Sequence, residues 1–372
     1  MRLRILAPAF LLTTTAAFAQ TLTPLEQGLG QLPEMILTNP GAEQAIFINV
    51  AALQTLLENA NAQASASASQ RLMLGQVLPP LRALYLTDIG TWNKKAGIDL
   101  KSVRYFTGLG MGPHNITVWG LANDDAAAQM LDTLKQRGFS PVGTKDILGN
   151  GKPMEINPSR DEPGNPWMGS VGASTFVAAH GDAVFQASAP EILPKLVAGG
   201  PNAGGAAAVK AATTGLKAAI GDHPVVQAML FSPALGVMPG DPAQRVLSGK
   251  LGATSTAAPA NKANVAIPPY LGGLIADVQL DTPAVVVSLA YADCDLATRA
   301  ADSLAQRWND TLPASAQGAT KTATVPSADG HCAATLIISS KDPAITGNPV
   351  FKGFYQQYQQ RQFRALQISQ TK

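Results

Sequence analysis

The four histidines are the side chains in this sequence best suited to metal binding or general acid–base chemistry. They are His114, His180, His223 and His331, and each stands alone in a segment typical of a turn. No two of them have the H-x-x-x-H spacing that would place two imidazoles on one helix face as metal ligands. The sequence therefore predicts no metal-binding residue.

The sequence also lacks the common motifs for a catalytic nucleophile and for phosphate binding. The chain has no G-x-S-x-G, and it has no S-x-x-K followed by the S-D-N and K-T-G motifs of penicillin-recognising enzymes. The glycines Gly108, Gly110 and Gly112 lead into a strand-like stretch, whereas a phosphate loop leads into a helix N-terminus. Paired carboxylates of the glycosidase type stay open, because such pairs form in space. We predict no catalytic residue and no cofactor, and we favour a non-catalytic protein over an enzyme.

The two cysteines, Cys294 and Cys332, are predicted to form a disulfide. One follows a predicted strand and the other begins another, so they become neighbours if these strands pair antiparallel. An exported chain meets an oxidising compartment, where such pairs are usually bonded. The alternative is a redox-active dithiol, which usually has C-x-x-C spacing.

Two groups of aromatic side chains could bind a ligand or a partner. Tyr105, Phe106, Trp119 and Trp167 could line a ligand groove, with packing in the core as the alternative. A predicted terminal helix carries an aromatic stripe at positions i, i+3, i+4 and i+7. Its members could form a partner-binding face or could dock on the protein itself: Phe351, Phe354, Tyr355 and Tyr358.

The N-terminal residues 1–19 are typical of a Sec-type signal peptide. Arg2 and Arg4 precede a short apolar run, and Ala-Phe-Ala stands before Gln20. We expect cleavage after Ala19 and a periplasmic or secreted protein with no transmembrane span. Removal of two arginines leaves 25 basic and 25 acidic residues, and this neutral balance argues against nucleic acid as the partner.

A degenerate internal repeat organises the rest of the chain. Residues 116–139 read as a strand, an acidic turn and an amphipathic helix, and residues 286–309 repeat that pattern. In the first copy Asn123, Asp124 and Asp125 stand where a helix start needs side-chain acceptors, and Asp125 matches Asp295 in the second copy. Self-similarity of this kind predicts two copies of one building block.

The predicted fold class is α+β, with two related units that each have a largely antiparallel sheet and helices packed on one face. The predicted bounds are a signal peptide at 1–19 and a first unit at 20–200. An Ala/Gly-rich connector follows at 201–222. The second unit covers 223–345, and an amphipathic helix covers 346–372.

Several segments, taken in order, resemble an exported bacterial family recorded only as a domain of unknown function. They are FINVAAL, AGIDLKSVRYFTGLG, ITVWGLANDDAAAQMLDTL and FVAAHGDAVFQASAPEILPKL. The resemblance covers most of 45–197 and is weaker over 225–339. It implies an exported α+β protein and brings no catalytic residues.

These observations predict an exported, non-catalytic protein that binds a small ligand or a cell-envelope partner across its two halves. The alternative is a periplasmic hydrolase whose active site is built from loops near 141–167. An apolar groove would favour the binding protein, and a cleft with clustered polar groups and a buried His or acid would favour the enzyme.

Overall fold

The computed structural model describes residues 23–37, 44–58, 70–109, 115–237, 267–342, 347–360 and 364–368. The predicted signal peptide at 1–19, the histidine at 114 and the glycines at 110 and 112 lie outside these residues. Within the described ranges, no helix is long and apolar enough to cross a bilayer.

Twelve strands form a single sheet in which every neighbouring pair is antiparallel. The strand order across the sheet is β11-β12-β10-β9-β8-β1-β2-β3-β7-β6-β5-β4. The bounds are β1 Gln44–Asn49, β2 Val103–Leu109, β3 Ile116–Leu121, β4 Ser140–Val142, β5 Thr144–Gly149, β6 Phe176–His180, β7 Ala183–Ala187, β8 Val225–Phe231, β9 Gly272–Gln279, β10 Pro283–Tyr291, β11 Ala319–Pro326 and β12 Cys332–Ser339.

The α-helices of the described residues pack on both faces of this sheet. Residues alternate between the faces along β1, where Ile46 and Ile48 join one apolar core and Ala45 and Phe47 join the other. The helices are α1 Pro24–Gly30, α2 Val50–Glu58, α3 Pro79–Leu86, α4 Ile89–Ala96, α5 Asp124–Gln136, α6 Leu193–Val197, α7 Ala207–Ile220, α8 Cys294–Thr311 and α9 Pro349–Gln359.

The α+β class and the antiparallel pairing are confirmed, and the structure departs from the expectation in two respects. The strands form one continuous sheet, because β1 pairs with β8 in the middle. Helices cover both faces, with α1, α6 and α7 on one side and the other six on the opposite side. The reason is that central strands such as β8 are buried at every position, so both of their faces need a cover.

The two halves of the sheet have the same strand arrangement when each is followed outward from the central β1–β8 pair. One half, β1-β2-β3-β7-β6, corresponds in order to the other half, β8-β9-β10-β12-β11. The strand-to-helix steps β3–α5 and β10–α8 occupy matching places, and Asn123 and Asp293 cap the two helices by accepting from backbone N–H groups at 2.9 and 2.8 Å. This is the arrangement a duplicated unit requires, and the duplication itself stays a prediction.

The Ala/Gly-rich segment expected to be a connector is a packing element of the second half. Its helix α7 lies against the sheet, where the Ser288 hydroxyl donates to the carbonyl of Ala212 at 2.8 Å. A Cβ at Gly215 would stand 2.5 Å from the Cβ of Ala333. Small residues therefore let this helix approach the strands closely, and their composition does not signal a linker here.

The predicted disulfide is present and joins the start of α8 to the start of β12. Cys332 pairs across the sheet with Tyr291, the last residue of β10, and Cys294 follows three residues later. The Cα atoms of Cys294 and Cys332 lie 5.0 Å apart. The bond thus ties the end of one strand to the neighbouring strand across a sequence separation of 38 residues.

The aromatic stripe of the terminal helix α9 is docked. Phe351 is fully buried, Phe354 stacks on Trp308 at 6.0 Å between ring centroids, and Tyr355 is buried beside them. Tyr358 is partly buried against the same core. The alternative of a free partner-binding face at these residues is therefore wrong, because the face is buried in the core and contacts Trp308 of α8.

A buried polar network holds the start of α9. Asp277 accepts hydrogen bonds from Arg71, Gln227 and Asn348, and all four side chains are at least nine-tenths buried. Asn348 also caps α9 by accepting from the N–H of Phe351 at 3.1 Å. The network thus links the segment Gln70–Val77, strands β8 and β9, and the terminal helix.

Candidate functional site: a cleft at the junction of the two halves

A cleft of about 540 Å³ lies beside the central β1–β8 pair, where the two halves of the sheet meet. We call it the junction cleft. Its walls are α1, α7 and the turn that connects α7 to β8. The residues that line it are Thr23, Pro24, Leu25, Glu26, Phe47, Asn49, Thr213, Leu216, Lys217, Ile220, Gly221, Asp222, His223, Pro224 and Val225.

The junction cleft combines buried apolar lining with polar groups in solvent. Four lining residues are apolar and buried in the core that α1, α6 and α7 cover: Leu25, Phe47, Leu216 and Val225. The exposed part of the lining includes the ionisable side chains of Lys217, Asp222 and His223. Their side chains form no hydrogen bond or ion pair with any residue that the structure describes. Apolar walls with a few polar groups are the usual chemistry of a small-molecule site.

Local sequence explains why the turn stands between the helix and the strand. Gly221 ends α7 with φ of 58°, a conformation that favours glycine, and its N–H donates to the carbonyl of Lys217 at 2.9 Å. The N–H of His223 then donates to Ile220, and Pro224 leads into β8. These backbone contacts place Asp222 and His223 in the lining of the junction cleft.

A second and more open cleft, of about 790 Å³, lies on the other side of the same turn. It shares residues 220–224 with the junction cleft and adds polar groups such as Asp281, Thr320 and Lys321. The turn therefore borders two adjoining concave surfaces at this end of the sheet.

The aromatic residues predicted as a ligand groove are buried in the two cores. Phe106, Trp119 and Trp167 lie in one core, and the rings of Trp119 and Trp167 stack at 4.3 Å. Tyr105 lies in the other core, because adjacent residues of a strand point to opposite faces. The indole N–H of Trp167 donates to the carbonyl of Ala96 at 2.8 Å. These rings fill the space that a groove would need, so the groove prediction gives way to the core alternative.

The region proposed for the alternative active site contains the last two strands at one end of the sheet and an internally bonded loop. The sequence predicts a loop over 141–167, whereas β4 and β5 occupy 140–149, because Ile147 and Leu148 are buried in opposite cores. Beyond them, Arg160 donates to the carbonyl of Asn150 at 2.8 Å and to the hydroxyl of Ser174 at 3.1 Å.

Glu155 completes this network and shows a lowered pKa. Its carboxylate accepts from the N–H of Lys152 at 2.9 Å, which is the main cause, and lies 3.8 Å from Arg160. Neither of the two clefts is lined by residues 141–167. The polar groups of this loop are thus used to hold the loop together.

Several large apolar side chains are exposed on α3, at the start of α4 and in the segment 154–171. Arg82 of α3 donates to Ser170 at 2.6 Å and so places the end of α3 next to the loop. Met154 and Val171 have φ of 60° and 58°, which are unfavourable for L-residues and especially for a β-branched one. We define the apolar patch by its exposed large side chains: Tyr85, Leu86, Ile89, Met154, Ile156 and Val171.

The described histidines do not come together. His180 ends β6, His223 borders the junction cleft, and His331 lies 3.4 Å from Asp329 in the turn before β12. Among the described residues, no group of three or more His, Cys, Asp or Glu side chains could hold a metal ion.

The fold and site define an α+β protein with one continuous antiparallel sheet and a mixed apolar and polar cleft at its centre. Comparison with known proteins adds little. No family model matches the chain, and no curated protein matches it. The resemblance to an exported family is therefore not confirmed.

One solved structure, described as crystal form I of TP0453, aligns with 83% of this chain and 94% of its own. The sequence identity is 8% and the TM-score is 0.33, so this likeness carries no argument about function.

Proposed function

We propose that this chain is an exported, non-catalytic protein that binds a small amphipathic ligand in the junction cleft. The observation that carries the proposal is the combination of a buried apolar lining with exposed Lys217, Asp222 and His223 between the two halves. Such a surface takes the apolar body of a ligand against Phe47 and Leu216 and leaves its polar groups near the mouth. The disulfide supports an oxidising compartment outside the cytoplasm.

The hydrolase alternative has less support. A hydrolytic site needs a nucleophile or activated water, a base and an orienting group within hydrogen-bond reach of one another. In the loop near 141–167 the buried hydroxyl of Ser174 accepts from Arg160, which also binds the backbone of Asn150. This pattern supports a structural role for the loop.

The proposal is tested by filling the cleft from one side of α7. Thr213 lines the junction cleft, whereas its neighbour Thr214 is exposed and does not. We expect the fluorescent amphiphile 1-anilinonaphthalene-8-sulfonate to bind saturably to the native protein. Thr213→Trp should abolish that binding, and Thr214→Trp, which adds the same ring on the same helix, should leave it unchanged.

Circular dichroism must show the native fold for both variants. Equal binding by the native protein and both variants would place the probe elsewhere and contradict the proposal. Saturable binding that only Thr213→Trp removes would support it.

An envelope protein is the second partner class, and the apolar patch is the observation that favours it. Exposed apolar side chains held by unfavourable backbone conformations at Met154 and Val171 are a costly feature that a docking surface would explain. A photo-crosslinking residue at Tyr85 should yield one defined adduct in intact cells, and the same residue at exposed Lys210 should yield none. The absence of an adduct at Tyr85 would contradict this role.

A further inference from the structure

A third concave site, of about 420 Å³, is separate from the junction cleft and has a different chemistry. We call it the basic pocket. None of its lining residues is acidic, and two of them, His180 and Lys195, are basic. The full lining is Gly30, Gln31, Leu32, Pro33, His180, Lys195, Leu196, Gly199, Gly200, Pro201 and Asn202.

The walls of the basic pocket are fixed by backbone hydrogen bonds. The N–H of Ala203 donates to Leu32 at 2.7 Å, and the N–H of Glu34 donates to Pro201 at 3.2 Å. Pro33 and Asn202 pair as an isolated antiparallel bridge between these two bonds. The concave shape therefore exists before any ligand binds, which lowers the entropic cost of binding.

The two basic side chains are available to a ligand. His180 and Lys195 are both exposed, and neither forms a side-chain hydrogen bond or ion pair with a residue in the described part of the chain. The acids nearest to the lining in sequence are Glu34, which follows Pro33, and Asp182, which faces Arg104 at 3.9 Å. Positive charge at the pocket is thus not neutralised by its own lining.

The buried hydroxyl of Tyr105 lies next to Gln31, one of the lining residues of the basic pocket. Tyr105 is fully buried, and burial together with the charge of Asp182 raises the pKa of its hydroxyl, so the hydroxyl stays protonated. It lies against the side chain of Gln31 but makes no hydrogen bond of normal geometry. An unpaired buried hydroxyl is costly, and a small change in the Gln31 amide would relieve it.

We propose that the basic pocket binds a small anion through a carboxylate or phosphate group. Lys195 and the ring N–H of His180 would donate to the anion, together with the amide nitrogen of Gln31. The amide oxygen of Gln31 would then accept from the Tyr105 hydroxyl. An anion in the pocket would thus accept from the amide nitrogen of Gln31 while the amide oxygen accepts from Tyr105.

Titration of the full-length protein with inorganic phosphate and, separately, with succinate tests the proposal at low ionic strength. Binding is followed by backbone amide chemical shifts. We expect saturation by at least one of the two, with the largest shifts in residues 30–33 and 195–202. Lys195→Gln should weaken binding about tenfold, the equivalent of about 1.4 kcal/mol. The matched control Lys210→Gln, which changes an exposed lysine on α7, should leave it unchanged.

Two results would overturn the proposal. The first is the absence of saturation by either anion at concentrations of about 50 mM, a range that detects even millimolar affinity. The second is an equal loss for Lys195→Gln and Lys210→Gln, which would show non-specific attraction to surface charge. If only one anion saturates, that result identifies the recognised group.

Discussion

The buried pair Arg71–Asp277 should show strong energetic coupling in a double-mutant cycle. Asp277 is fully buried and accepts hydrogen bonds from Arg71, Gln227 and Asn348, while Arg71 is 1% exposed. Asp277→Leu leaves the guanidinium with only Gln279 and the carbonyl of Val278 as partners. Removing one member of such a pair costs about 3–5 kcal/mol, because the other charge stays buried and unpaired.

The double variant Arg71→Met, Asp277→Leu should cost clearly less than the sum of the single changes. The double variant leaves no buried charge without a partner, whereas each single variant leaves one. The amide donors of Gln227 and Asn348 still lose an acceptor, at about 1–3 kcal/mol each. We therefore expect a coupling energy of at least about 2 kcal/mol. Urea unfolding followed by circular dichroism, with the disulfide intact, measures it.

An exposed ion pair provides the matched control for this cycle. Lys135 and Asp132 lie 2.8 Å apart on the surface of α5, and their coupling should stay below about 1 kcal/mol. Additive effects of the Arg71 and Asp277 changes, within about 0.5 kcal/mol, would refute the view that this network holds the segment Gln70–Val77 to the sheet.

Three further predictions follow from other contacts. Phe351→Ala should destabilise the protein by about 3–5 kcal/mol, since the ring is fully buried under α9; an unchanged urea midpoint would show that this helix is not docked. Alkylation of the unfolded, non-reduced protein should find no free thiol, and loss of the Cys294–Cys332 bond should cost about 4 kcal/mol for a separation of 38 residues; two alkylated thiols would contradict the bond. Val171→Gly should stabilise by about 1 kcal/mol, because the relief of φ 58° outweighs the entropy of glycine; a lower melting temperature would show that the exposed valine makes contacts worth more than the strain.

Local patterns in the sequence were sufficient to predict individual elements. The strand and capped helix that begin at Ile116 and the disulfide between Cys294 and Cys332 depend on neighbouring residues or on a simple antiparallel pairing. Each is present as expected. The α+β class follows from the same local signals, because strands and helices are recognised by their different periodicities.

Long-range pairing and the site built on it could not be predicted in this way. β1 pairs with β8 although more than 170 residues separate them, and no local pattern specifies that contact. The junction cleft depends on that pairing, since Phe47 and Val225 reach it from opposite halves. The small residues around Gly215 indicate a linker by composition but serve close helix-to-sheet packing. By contrast, strand alternation alone is enough to predict that Tyr105 and Phe106 face opposite cores.

The central claim, that a ligand binds between the two halves, is tested most directly by locating a bound amphiphile. Nuclear Overhauser effects between 1-anilinonaphthalene-8-sulfonate and methyl-labelled protein report which side chains lie within about 5 Å of the probe, a distance of direct contact. We predict contacts with the methyl groups of Leu25, Leu216 and Val225, which line the junction cleft. Contacts confined to Leu86 and Ile89 would place the probe on the apolar patch and contradict the claim.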